Sequence, residues 1–345
     1  MRWSERASAW SDISVREWER RNAERRATVL ALPTVPVWHH ARIVPPQQGD
    51  VRISESIGPF GELMALWSGP ESQPVRFPRA PESRPTPVRV TVHVPEMAVA
   101  ARIPDLRLAY PQAQPLPDGR VLVVGPRCAW RPESPDRNAI VYDADGEVVA
   151  EQTFGDGIQH VQTTRSGETW VGYFDEGVLG SNGWGEDGAA PPIGRSGLVR
   201  FSADLAEEWH YPNSAGVAWG HILDCYALNV DGDTAWACGY TDFAVVRIRD
   251  GGVTGWRNEI RGSYAYALAA QGSRVALCSG HEPLRDRLVT GVLDDGQFRI
   301  TGEYRLVLPD GHEVPRQARV FGRGADLHVV TQDGWYRISL DDLPA

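Results

Sequence analysis

Three histidines stand where a site could be built. His160 lies in GIQHVQTT, His221 in AWGHILDC and His281 in SGHEP, each beside a stretch that reads as a strand end. Carboxylates accompany the first two: Asp175 and Glu176 follow TWVGYF, and Asp224 follows His221. Neutral imidazoles with carboxylate oxygens suit Zn²⁺, Mn²⁺ or Fe²⁺. The same groups without a metal suit a general acid/base pair. His160, His221 and His281 are therefore the candidate metal ligands. His221, His160, Asp224, Asp175 and Glu176 form the candidate catalytic set. Groups suited to binding surround them: Arg127 in GPRC, Tyr240 and Asp242 in YTDF, Tyr264 and Tyr266 in SYAY, Arg285 after His281, and Arg316 and Arg319 in PRQAR. Tyr110 and Gln112 open a further strand pattern and join this group.

Composition narrows the chemistry. The chain has 345 residues and contains no lysine, so all 35 basic residues are arginine. That removes phosphate-loop lysines and Schiff-base chemistry through a protein amine. GSNGWGEDG is glycine-rich but lacks phosphate-loop spacing and is followed by a strand pattern, so no nucleotide cofactor is expected. A net charge of −10 argues against nucleic acid as a partner. No apolar run is long enough to cross a membrane, and MRWSERASAW has no apolar signal core. A cytoplasmic protein is the expectation. Cys128, Cys225, Cys238 and Cys278 lack metal or disulfide spacing and read as buried apolar groups.

The elements that must hold these residues come from a repeat. QPLPDGRVLVVG leads to NAIVYDADGEVVAEQTF, QTTRSGETWVGYF to GLVRFSADLAEEWHY, and LNVDGDTAWACGY to FAVVRIRDGGVTGWRNE. LAAQGSRVALCSG then leads to RLVTGVLDDGQFRITGEY, and RVFGRGADLHVVTQ to GWYRISL. Each unit reads strand, glycine turn, strand, variable loop, strand, turn, strand. Four antiparallel strands recurring every ~45–50 residues are the pattern of a β-propeller blade. A degenerate sixth unit lies upstream, in DVRISESIGPF, GELMALWS and VRVTVHV. The last unit lacks its fourth strand, and TVLAL, Thr28 to Leu32, is the expected donor. Residues 1–27 should form a short helical strap, with 28–345 the propeller.

The fold class expected is all-β, a six-bladed propeller with an N-terminal helix and an N-terminal closing strand. The chain resembles the six-bladed β-propellers of the NHL and gluconolactonase-like groups. IQHVQTT and WVGYFDEG also resemble segments of actinobacterial propeller proteins of unassigned function. The gluconolactonase-like resemblance implies a calcium site opening on Glu-Gly-Pro. Here Glu55-Ser-Ile-Gly-Pro59 is out of register with it, so lactone hydrolysis does not carry over.

Loops of a blade alternate between two faces. The generic turns all fall on one face and the long, chemically rich loops on the other, which marks that mouth as the functional one. The insertion after TWVGYF belongs there as a cover. Residues 177–197 read as mobile, because they show no apolar anchors. Two functions fit. One is binding of a small molecule at this mouth, with metal-assisted or metal-free conversion of the hydrolase or lyase type. The alternative is a non-catalytic protein-interaction scaffold, of the immunity or assembly kind, using the same face.

Overall fold

A computed structural model describes residues 3–70, 85–212, 219–258, 260, 265–279 and 282–344. His281, Tyr264 and residues 71–84 lie outside them, as does the side chain of Tyr266. Helix α1 (Trp3–Leu30) opens the chain and is followed by β1 (Thr34–Pro36) and β2 (Trp38–Arg42). Blade 1 is β3 (Val51–Ile57), β4 (Leu63–Ser68), β5 (Thr86–His93) and β6 (Met97–Leu106). Blade 2 is β7 (Gln112–Pro115), β8 (Val121–Val124), β9 (Ala139–Tyr142) and β10 (Val148–Gln152). Blade 3 is β11 (Ile158–Thr163), β12 (Thr169–Tyr173), β13 (Leu198–Phe201) and β14 (Glu207–His210). Blade 4 is β15 (Asp224–Asp231), β16 (Thr234–Tyr240), β17 (Val245–Arg249) and β18 (Gly252–Trp256). Blade 5 is β19 (Ala265–Gln271), β20 (Arg274–Ser279), β21 (Arg287–Asp294) and β22 (Gln297–Val307). Blade 6 is β23 (Arg319–Arg323), β24 (Asp326–Val330) and β25 (Gly334–Ser339), completed by β2.

Six antiparallel sheets thus form the six-bladed propeller that the repeat implies. The turn glycines perform as read: Gly119, Gly167, Gly232, Gly272 and Gly324 all adopt positive φ between the first two strands of a blade. One apolar cluster fills each blade–blade junction. Between blades 1 and 2, for example, Met64, Leu66, Val90 and Ile103 meet Val121, Val123 and Tyr142. The inner strands pack tightly. At Gly322 an added Cβ would stand 1.8 Å from the Leu268 carbonyl oxygen, so only glycine lets blade 6 approach blade 5 there.

Ring closure differs from the expectation. β2 pairs antiparallel with β25, Trp38 facing Arg337, so the closing strand is Trp38–Arg42 and not Thr28–Leu32. Thr28 to Leu30 instead finish α1. The segment before it is rich in alanine, arginine and glutamate, which favours helix, and Pro33 stops it. β1 then adds to the outer edge of blade 5, parallel to β22. Arg26 clamps the helix end there: its guanidinium takes both oxygens of Asp286 at 2.6 and 3.0 Å and Glu313 at 2.8 Å.

The far half of the channel is filled by side chains. Gln162 Nε2 donates to the carbonyls of Leu228 and Gly322, and Asn229 Nδ2 to those of Leu268 and Gly324. Arg323, buried, donates to Gln162 Oε1 and to the Thr163 carbonyl. These cross-ring bonds give the opposite mouth a floor.

Candidate functional site

The mouth carrying the long loops holds a cup of about 600 Å³. Its wall comes from the opening residues of the inner strands of blades 1, 2, 3 and 6 and from the loops after the second strands. Blade 1 contributes Arg52, Ser54 and Ser68; the approach to blade 2 contributes Tyr110 and Gln112; blade 3 contributes Gln159 and Phe174. Arg127 and Arg319 complete the polar part. This is the face that the loop lengths mark.

The arginines are held from behind. Arg127 lies 3.1 Å from Asp156 and is ion-paired with Glu176, with its guanidinium 5.7 Å from the centre of the Phe174 ring. Arg52 is 3.1 Å from Glu55 and donates to the carbonyls of Thr331 and Gln332. Arg319 is looser: its Nε is 3.6 Å from Glu55, its guanidinium lies 5.0 Å from the centre of the Phe321 ring, and its side chain is 50% exposed.

The insertion is anchored, contrary to expectation. Trp184, 4% exposed, donates its indole N–H to the Cys128 carbonyl at 2.8 Å and lies 5.3 Å from the Trp130 ring. Val178 is also buried. Asp156, whose side chain is 1% exposed, accepts from the Cys128 N–H, the Ser181 hydroxyl and the Asn182 amide as well as from Arg127. The loop is thereby fixed over blades 2 and 3, with α2 (Asp175–Leu179) at its start.

The proposed catalytic residues gather only in part. Asp224 is half-buried at the start of β15, and burial first, then the charge of Asp175, pushes its carboxyl up to about 6. Asp175 is exposed in the first turn of α2 and accepts from the Glu176 N–H. Glu176 points to Arg127, which makes it part of the cup's frame. His160 Nε2 lies 2.9 Å from the Tyr226 carbonyl, and since a carbonyl only accepts, that nitrogen carries the proton. Its ring is enclosed although the residue as a whole is half-buried, and this desolvation lowers its pKa to about 4. Arg319 pushes the same way, while the Tyr226 carbonyl opposes both. His221 is exposed and makes no hydrogen bond among the described residues.

His281, the third proposed metal ligand, lies outside the described residues. Among the described residues no three His, Cys, Asp or Glu side chains come together to hold an ion. Nε2 of His160 is committed to a backbone carbonyl, a role that spacing along the chain cannot reveal. The calcium site implied by the gluconolactonase-like resemblance does not fit either, because Glu55 is occupied by Arg52 and Arg319.

Of the binding residues, Tyr110, Gln112, Arg127 and Arg319 line the cup. Arg285 does not: Glu282, Glu313 and the Val314 carbonyl hold it in the clamp beside Arg26. Arg316 is exposed, 3.4 Å from Glu282. Tyr240 is exposed with its ring against Phe243, and Asp242 is exposed next to Gly220, both over blade 4 and away from the cup wall. Arg52, Ser54, Ser68, Gln159, Phe174 and Asp156 were not legible as site residues. A usable signal existed for Asp156, an acid between two glycines just before an inner strand, and for Arg52 and Ser54, which alternate along one.

No family model matches the chain, and no curated protein matches it. Similar solved structures include an inactive variant of virginiamycin B lyase from Staphylococcus aureus with quinupristin, at 12% identity and TM-score 0.48, over 88% of this chain and 85% of that one. A gluconolactonase from Xanthomonas campestris follows at 12% identity and TM-score 0.43, over 87% of this chain and 98% of that one. A nidogen/laminin complex gives 11% and 0.42, over 83% and 95%. The protein is a six-bladed β-propeller, and its own mouth must carry the functional argument.

Proposed function

We propose that this propeller binds a small organic molecule in the cup, with Asp224, at the start of the inner strand of the neighbouring blade 4, as the group to exchange a proton. The observation behind this reading is the cup itself. About 600 Å³, walled by four blades and closed below by a polar plug, is within the range of small-molecule sites. Its apolar wall (Ile53, Pro126, Ile158, Phe174) takes the body of a ligand, and a few polar groups orient it. Asp224, pushed up to about 6, changes protonation closer to neutral pH than an ordinary carboxyl. His160, His221 and Asp175 are its proposed companions on the blade 3–4 side.

Binding is tested by fluorescence titration with phenylnaphthylamine, a neutral apolar probe, against the wild type and Gly69→Trp. Gly69 lines the cup, and among the described residues a Cβ there meets nothing within 4 Å, so Gly69→Trp adds an indole at the cup wall at a position with room for a side chain. Saturable binding to the wild type, lost in Gly69→Trp at unchanged melting temperature, supports the reading. Equal binding to both proteins refutes it. A protein-interaction scaffold has one observation in its favour: Trp18 and Val15, on one side of α1, are 66% and 51% exposed. A scaffold needs no cup, so the same titration separates the two.

A further inference from the structure

The charged side chains that line the cup are all basic in an acidic chain, and the three acids that pair with them are not part of the lining. The sequence carries 45 acidic and 35 basic residues, yet the cup is lined by three arginines and, among the described residues, by no carboxylate. The acids Glu55, Asp156 and Glu176 all stand behind the arginines and fix their positions. Arg52 and Arg127 direct most of their donors into that frame, whereas Arg319 lies over the Phe321 ring with half its side chain exposed and its nearest acid, Glu55, 3.6 Å from Nε.

A second observation points the same way. Ser54 and Ser68, on adjacent strands of blade 1, both line the cup and are 7% and 1% exposed. Neither hydroxyl has a hydrogen-bond partner among the described residues. Buried hydroxyls are ordinarily bonded, and leaving one unmet costs more than a hydroxyl in water. Neither oxygen is open to solvent, and a turn of either side chain about its Cα–Cβ bond would bring the hydroxyl to an acceptor-rich group entering the cup.

We propose that the ligand is an organic anion, an apolar or aromatic body bearing a carboxylate or phosphate, with Arg319 as its charge anchor and the Ser54 and Ser68 hydroxyls as further donors. The inference rests on the cup being the binding site and names the class of molecule that it takes. Arginine suits the task because its planar fork meets two anionic oxygens at once, and it stays charged at any physiological pH. Phe174, Ile158 and Pro126 offer the body an apolar wall.

The test compares two probes with one aromatic skeleton: anilinonaphthalene sulfonate, which carries an anionic group, and phenylnaphthylamine, which does not. The wild type should bind the sulfonate more tightly, and less so as salt rises. Arg319→Gln should weaken the sulfonate about tenfold or more, the scale of a charged hydrogen bond, and leave the neutral probe unchanged. Arg319→Lys should recover part of the loss. Displacement of the sulfonate by naphthalene carboxylate or by naphthyl phosphate shows which natural anion the cup favours. If both probes bind the wild type equally, or Arg319→Gln affects both or neither, the anion inference is overturned while the cup stands. If Gly69→Trp retains both probes, or neither probe binds the wild type, the cup itself is lost as the site.

Discussion

Arg127 and Asp156 stand 3.1 Å apart, one at the cup wall and the other with its side chain 1% exposed beneath the insertion. This pair joins the site to the loop that covers it. Asp156 also receives the Cys128 N–H, Ser181 and Asn182, so it is the fixed point from which Arg127 projects. Asp156→Ala strands several donors and an arginine at once and should cost about 3–5 kcal/mol, the range for breaking a buried ion pair. Urea unfolding measures the loss, and the 177–197 segment should become the first point of limited proteolysis. An equally stable variant with an intact loop would show that Asp156 organises neither.

The N-terminal region has two separable tasks. α1 is clamped through Arg26 to Asp286, whose side chain is 1% exposed, while β2 closes the ring. Removing residues 1–30 leaves a closed ring but takes away the partner of a buried carboxylate, at a cost of about 3 kcal/mol. Removing residues 1–43 also strips β2 from β25 and bares a strand edge, which should aggregate. Light scattering and thermal melts on the two truncations check this order. Aggregation of the shorter truncation alone would contradict it.

The propeller was legible because its signals are local. Glycine turns such as RSG and QGS and alternating strands repeat at a fixed spacing. The closing strand was not, because WHHAR buries only Ala41 and carries no apolar alternation, while TVLAL has the composition of a strand but the context of a helix. Arg127 and Arg319 were visible at a loop and a strand start. Ser54 and Ser68 were hidden in the most degenerate unit, where neither hydroxyl looks unusual until its surroundings are known. The partner of His160, a backbone carbonyl on the next blade, is not visible from spacing along the chain. The anchoring of the insertion rests on Trp184, one residue inside a glycine-rich run.

Asp224 gives the protein a pH signature. Its folded pKa, about 6, exceeds the ordinary 3.8, so the folded state holds this proton more tightly than the unfolded chain. The resulting stabilisation is full below the ordinary value and is lost as pH rises through about 6. At pH ~7.5 the wild type carries a half-buried charge beside Asp175 that Asp224→Asn lacks. The variant should therefore melt a few degrees higher near neutral pH, with the gap closing toward pH ~4. Parallel melting curves at every pH would show that Asp224 is ordinarily solvated.

The serines provide a test in which stability and binding move in opposite directions. A hydroxyl that serves the fold costs about 1 kcal/mol or more when it is removed, because its partner is left unmet. Ser54 and Ser68 have no partner in the fold among the described residues, so Ser54→Ala and Ser68→Ala remove only an unmet polar atom from a buried wall. Each variant should be as stable as the wild type or more stable, by up to about 1 kcal/mol in urea unfolding. Binding should respond the other way. If the hydroxyls donate to the anion, each alanine weakens anilinonaphthalene sulfonate by about two- to tenfold, the worth of a single hydrogen bond, and the double variant by more. The neutral phenylnaphthylamine should bind both variants at least as well as it binds the wild type, because the wall has become more apolar. A loss of stability with unchanged sulfonate binding would assign the two serines to the fold and remove them from the site.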